Sequence, residues 1–227
     1  MIFQSVVGSR ALCLEDDGSD FDCCAVTIEG HEPKILLPVD NYHIFSKSPS
    51  QFGGFLKYNS NKHHGCCQWI FPYQFCLDND LTRWIKENRE EMILATLPEV
   101  YEVYTQSARE LELGRRLLYP EKMLKLAAYS LHFRDMLINY AEGMTFDEAR
   151  QAKGERQQFL LSLRRGDMPL KVYFDENDRL REEVKKVADF YKDPKANPSI
   201  LQEFRYMIKR EVELLINAED SQKHTVS

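Results

Sequence analysis

The sequence predicts an α+β fold, a small mixed β-sheet head followed by a C-terminal helical part. Three observations carry this reading. Short apolar and β-branched runs separated by Gly, Ser and Asp turns fill the first 80 residues. From Asp80 onward the apolar residues recur every three or four positions, the period of an amphipathic helix. The charge is also uneven. Residues 1–80 hold five Lys/Arg against ten Asp/Glu, whereas the rest is nearly balanced and rich in Arg. A head over residues 1–95 and a helical domain over 96–227 follow from these contrasts.

Each element has its own local signal. Ile2–Val7 is an apolar run stopped at Gly8-Ser9, a strand ending in a tight turn. Arg10–Leu14 has room for one or two helical turns, and Glu15–Ser19 is a polar turn. Asp20–Ile28 predicts a second strand, with further short strands at Ile35–Leu37 and Tyr42–Phe45. A loop over Ser46–Gly65 holds a short helix near Phe52–Lys57, and Cys66–Phe75 predicts a strand interrupted by Pro72. Helices are then expected over Asp80–Leu94, Pro98–Leu118 and Glu121–Glu142. In the last of these, Leu124, Ala127, Ala128, Leu131 and Ile138 share one stripe, and Gly143 is a stop. Thr145 and Glu148 stand at capping-box spacing. Gln157–Arg165 ends at Gly166, and two more helices follow at Glu176–Tyr191 and Pro198–Asn217. The polar tail from Ala218 is expected to fray.

Composition narrows the function classes. With 43% apolar and 29% charged residues among 227, the chain reads as globular, not collagen-like, rod-like or disordered. No apolar run approaches the length of a membrane span, and the first residues do not resemble a secretory signal, so the expectation is a cytoplasmic protein without a membrane partner. A net charge of −6 gives no global basic footprint for duplex binding. The cysteines at 13, 23, 24, 66, 67 and 76 include two adjacent pairs, a poor disulfide framework, and read as reduced thiols. His63-His64-Gly65-Cys66-Cys67 lacks the CxxC spacing of a zinc knuckle.

The chemistry concentrates in Gly8-Ser9-Arg10 followed by Ser19-Asp20-Phe21-Asp22. Gly8 permits a turn that a side chain would block. Amides at the start of the next helix, the Ser9 hydroxyl and the Arg10 guanidinium then make a cradle for an anion. Asp20 and Asp22 at i and i+2 on a strand present both carboxylates on one face. Paired carboxylates attract divalent cations, and oxygen ligands suit Mg²⁺. A phosphate cradle beside a cation site is what displacement at a nucleotide α-phosphate requires.

The stretch V-V-G-S-R-A-L-C-L-E-D-D-G-S-D-F-D resembles the signature of the DNA polymerase beta-like nucleotidyltransferase superfamily, G-S-x-A-x-G-x followed by S-D-x-D. The R-A form is similar to the RlaP-type branch, found in bacteria and phages and associated with RNA repair. Asn88–Tyr104, Lys125–Met136 and Leu161–Leu170 resemble later segments of that branch, so the resemblance spans residues 1–185. It implies a small twisted mixed sheet flanked by helices, with the helical part as the other wall of a cleft. It also implies an NTP substrate bound through Gly8 and Ser9, and Mg²⁺ (or Mn²⁺) on Asp20 and Asp22. The sequence departs from the pattern twice. Cys13 stands where the family has Gly. The third carboxylate, on a later strand, is missing from Cys66–Phe75, which offers Gln68 and Gln74; Asp78 and Asp80 follow closely.

Lys125, Arg134, Arg164 and Arg165 are the candidates for phosphate or RNA contact from the helical part, against the alternative of ordinary surface ion pairs. His132 is a candidate proton shuttle or a packed core imidazole. Tyr58, Trp69, Phe71 and Tyr73 are candidates for base stacking or for core. The expected activity is transfer of a nucleoside monophosphate to a hydroxyl on an RNA end or a protein. A nucleotide- or RNA-binding protein without turnover is the alternative. A toxin–antitoxin nucleotidyltransferase that modifies a partner protein or tRNA is a third reading.

Overall fold

A computed structural model describes residues 1–29, 31–33, 36, 42–53, 75–112 and 120–225. The fold is mixed α and β, as expected, and divides into two compact units. The head comprises residues 1–11, 20–95 and 196–227, and the helical unit residues 12–19 and 96–195. The change at residue 95 coincides with the end of the first long helix. The units nevertheless interleave in sequence: the C-terminal helix falls with the head, and the 12–19 loop with the helical unit. Local periodicity carries neither assignment.

In the head, β1 (Phe3–Val7) runs into a single turn of helix, α1 (Gly8–Ala11). β2 (Phe21–Val26) pairs antiparallel with β1, and β3 (Tyr42–Lys47) pairs parallel with β2, giving the order β1-β2-β3. On the far side of β1, Phe75 makes an antiparallel bridge to Ser5, and the Cys76 amide donates to the Gln4 carbonyl at 2.8 Å. The predicted Cys66–Phe75 strand is described only at that last residue; its other positions lie outside the described residues. β1 is buried at every position, which accounts for its continuous apolar run.

A short helix, α2 (Pro49–Gly53), and two long ones, α3 (Asp80–Leu94) and α9 (Ser199–Thr225), complete the head. Their packing is aromatic. Phe52 lies 4.7 Å from Phe3 and 5.2 Å from Phe204, and Trp84 stacks on Phe204 at 6.1 Å. Phe3, Phe52 and Phe204 are fully buried, each contributing about 1.5–3 kcal/mol of apolar transfer. α3 starts where predicted because Asn79 and Thr82 form a reciprocal capping box, and Asn79 Nδ2 also donates to the Ile2 carbonyl. α9 does not fray at Ala218. No Gly or Pro interrupts it, and Ser221 Oγ bonds back to the Asn217 carbonyl.

The helical unit holds α4 (Leu97–Glu112), α5 (Pro120–Ala141), α6 (Phe146–Ala149), α7 (Gly154–Arg165), α8 (Leu170–Val187) and a 3₁₀ turn at Ala188–Tyr191. Its core joins Leu14 to Ala127, Ala128, Leu131, Leu160, Leu163, Tyr173 and Leu180. Three residues of the predicted α5 stripe are therefore fully buried. The Thr145–Glu148 capping box forms, and Gly166 closes α7 at φ 82. α8 begins six residues earlier than predicted. Pro169 at its N-cap leaves Leu170–Tyr173 free to coil, and burial of Tyr173 holds that turn. The Tyr191 hydroxyl donates to the Leu137 carbonyl at 2.6 Å, tying the 3₁₀ turn to α5.

Candidate metal centre

Strand pairing assembles the site in the head. The β1–β2 register sets Val7 opposite Asp22, so the turn after Val7 lies beside that carboxylate. Gly8 makes the turn at φ +71, in the left-handed region. A Cβ there would overlap Asp22 Oδ2, with Asp22 Cβ and Cγ each at 3.0 Å. The missing side chain is thus the space the carboxylate occupies. Asp20 lies just before β2, and its carboxylate, like that of Asp22, faces His43. The intervening Phe21 takes the Arg10 guanidinium over its ring at 3.9 Å.

The parallel β2–β3 register places His43 next to Asp22. His43 Nδ1 lies 2.8 Å from Asp20 Oδ2 and 3.9 Å from Asp22 Oδ1. One ligand atom from each of the three residues falls within 4.8 Å of the others, and among the described residues they form the group able to hold a metal ion. The side chains of Asp20, Asp22 and His43 are 29%, 16% and 68% exposed, so an ion can enter from solvent. Donor atoms bound to one divalent ion at about 2.0–2.2 Å stand about 3–4 Å apart; the 3.9 Å spacing falls in that range, and the 2.8 Å one is the length of a direct His–Asp hydrogen bond. The residues present therefore suit a divalent cation.

His43 was not among the candidates drawn from the sequence. The strand that carries it was expected, but its parallel pairing with β2 is long-range and leaves no mark in the local pattern. Asp78 and Asp80, considered as replacements for the third carboxylate, are engaged elsewhere. Asp80 meets Arg83 at 2.7 Å and Arg210 at 3.0 Å, and Asp78 meets Arg83 at 3.2 Å. The Arg83 hydrogen bond, with the Arg210 charge, lowers the Asp80 pKa. Gln68 and Gln74, the aromatic residues 58, 69, 71 and 73, and the 63–67 histidine–cysteine run lie outside the described residues.

The other predicted residues are placed as follows. Ser9 sits in α1 at 2% exposure, so the expected hydroxyl donor is buried instead of facing an anion. Lys125 lies with its Nζ 5.8 Å from the Tyr129 ring. Arg134 is buried at 6% exposure, unlike the surface guanidinium expected. Arg165 is exposed and pairs with Asp167 at 3.0 Å.

Arg164 is a clamp inside the helical unit. Its Nε lies 3.1 Å from Asp16 Oδ2, its Nη2 donates to Ser19 Oγ at 3.0 Å, and its Nη1 donates to the Leu14 carbonyl. Ser19 Oγ in turn donates to Asp16 Oδ1 at 2.8 Å. Burial opposes the Asp16 charge, but the Ser19 hydrogen bond and Arg164 outweigh it and lower the pKa. Gln157 Nε2 adds a bond to the Cys13 carbonyl at 2.8 Å, and the Ala152 amide bonds the Leu12 carbonyl. The loop leading into Asp20 is therefore held at both ends. Within it Cys13 adopts φ +56, a left-handed conformation, at the position where the resembled pattern carries Gly.

His132 is a core imidazole. It is 2% exposed, and its Nε2 bonds the Arg150 carbonyl at 2.7 Å. Burial is the main cause of a pKa pushed down to about 4. Among the described residues no helix is long and apolar enough to cross a membrane. No protein-family profile matches the chain, and no curated protein or solved structure gives a match.

Proposed function

We propose that this chain is a divalent-cation-dependent nucleotidyltransferase that moves a nucleoside monophosphate from an NTP to a hydroxyl on an RNA end or a protein. The observation that carries the reading is the Asp20–Asp22–His43 group set against the Gly8 turn. Asp20, Asp22 and His43 would hold the cation. When bound, it supplies positive charge that neutralises phosphate oxygens and stabilises the attacking and leaving oxygens. Gly8 keeps the turn close to the Asp22 carboxylate, which would set the cation site at its edge. The acceptor oxygen bonds to the α-phosphorus, the bond to the β-phosphate oxygen breaks, and pyrophosphate leaves with its electron pair. The hydroxyl proton passes to solvent. This assignment agrees with the resemblance to the DNA polymerase beta-like superfamily, RlaP-type branch. The test is incubation with labelled NTPs, divalent cations and candidate acceptors. Label transfer that is lost in Asp20→Ala/Asp22→Ala is expected; no transfer with any cation defeats the proposal.

One observation favours a second reading, a nucleotide-binding protein without turnover. The third member of the group is an imidazole, and the third carboxylate of the resembled pattern is missing from Cys66–Phe75, which offers Gln68 and Gln74. Calorimetry that detects cation-dependent ATP binding, with no pyrophosphate released over hours, would select this reading.

A further inference from the structure

We propose that His43 is a metal ligand and turns the Asp20–Asp22 pair into a site for an imidazole-accepting divalent ion of the zinc kind, in preference to Mg²⁺. The proposal rests on reading Asp20 and Asp22 as a cation site. Mg²⁺ demands near-octahedral oxygen coordination, whereas imidazole nitrogen suits Zn²⁺ and its neighbours. Three protein ligands with one position open is the arrangement of catalytic zinc. Ligand atoms around a tetrahedral ion at about 2.0–2.1 Å lie about 3.3 Å apart. His43 Nδ1 stands 2.8 Å from Asp20 Oδ2, a direct hydrogen bond that a bound ion would replace, and 3.9 Å from Asp22 Oδ1. An exposed His–Asp ion pair contributes little stability by itself, so pairing alone gives His43 no strong reason for its place. The Gly8 notch fixes where the Asp22 carboxylate lies. It accommodates the Asp22 carboxylate, and the parallel register then puts His43 beside that same residue.

The test is site-resolved NMR on the whole chain labelled with ¹⁵N, titrated separately with Zn²⁺ and Mg²⁺ in the absence of nucleotide. Backbone amides of Asp20 and Asp22 give a local Kd for each ion, and imidazole ¹⁵N signals identify the ring that binds. A residue-specific readout is needed because the cysteines can also take zinc. The His43 ring nitrogens should shift with Zn²⁺ in step with the Asp22 amide. In His43→Asp, which replaces the imidazole by a carboxylate, the ratio of Mg²⁺ Kd to Zn²⁺ Kd should fall at least about tenfold, equivalent to about 1.4 kcal/mol. At 68% exposure His43 can be replaced without disturbing the core, and unchanged amide spectra elsewhere verify this. An unmoved His43 ring while Asp22 responds, or an unchanged ratio in His43→Asp, overturns the proposal and leaves the carboxylate site intact. No response of Asp20 or Asp22 to either ion overturns both. Because no nucleotide is present, failure of transfer activity does not affect this result.

Discussion

Replacing Gly8 by Ala tests the centre at its narrowest point. At φ +71 an L-residue meets a left-handed penalty of about 1–2 kcal/mol, of which about 0.5 kcal/mol returns through the stiffer unfolded chain. The added Cβ would also overlap Asp22 Oδ2. If the carboxylate stays, the crowding adds about 1–3 kcal/mol, and the loss reaches about 2–4 kcal/mol. If the carboxylate swings away, stability falls by only about 1 kcal/mol, and the candidate centre loses one of its three ligating groups. Urea unfolding and the Asp22 amide titration, run on the same sample, separate these routes. Gly18→Ala is the control. Its nearest atom would be Asp16 Oδ1 at 3.9 Å, and it should stay within about 0.5 kcal/mol of the parent. A Gly8→Ala protein matching the parent in both stability and cation affinity would refute the close approach of turn and carboxylate.

Three other outcomes follow from the helical unit. The unfolded His132 imidazole, near pKa 6.5, takes a proton that the buried one, at about 4, refuses. Its stabilisation is thus complete above about pH 6.5 and falls as the pH drops towards 4, by about 3 kcal/mol in all. Urea midpoints from pH 7.5 to 5 should fall in the parent and flatten in His132→Gln; parallel curves would contradict the burial argument. Arg156 grips Asp135 through two bonds of 2.7 and 3.2 Å and reaches Glu176 at 2.8 Å. Arg156→Met should lose about 3 kcal/mol because Asp135 is left as a largely buried lone carboxylate. Adding Asp135→Leu should recover most of that loss in thermal melts, and no recovery would argue against it. Cys13→Gly should gain about 0.5–1 kcal/mol by relieving φ +56, whereas Cys13→Ala should not; equal effects would place the origin in the thiol instead.

Signals acting over three or four residues survive translation into structure. Asp80–Leu94 has the predicted bounds because Asn79 and Thr82 close its first turn. Thr145 with Glu148, and Gly166 after Arg165, act at the same short range. Where no local mark exists, the bounds move. α8 starts at Leu170 because tertiary burial of Tyr173 holds a turn that lacks a side-chain cap. α9 continues to Thr225 because polarity by itself does not end a helix that has no breaker. By charge alone Arg134 and Arg164 are candidates for phosphate contact, with ordinary ion pairs as the alternative. Burial holds the first in the unit's interior, and Asp16, Ser19 and Leu14 engage the second.

The residues alone determined an α+β chain with a Gly-Ser turn and two acidic side chains on one strand face. Turn flexibility and the two-residue strand repeat are properties of a few neighbouring bonds. Only tertiary structure brought His43 to that pair and sent α9 back to the head. Pairing between strands twenty residues apart, and helix packing across more than a hundred, depend on which surfaces fit and bury together; no short window of sequence encodes that fit.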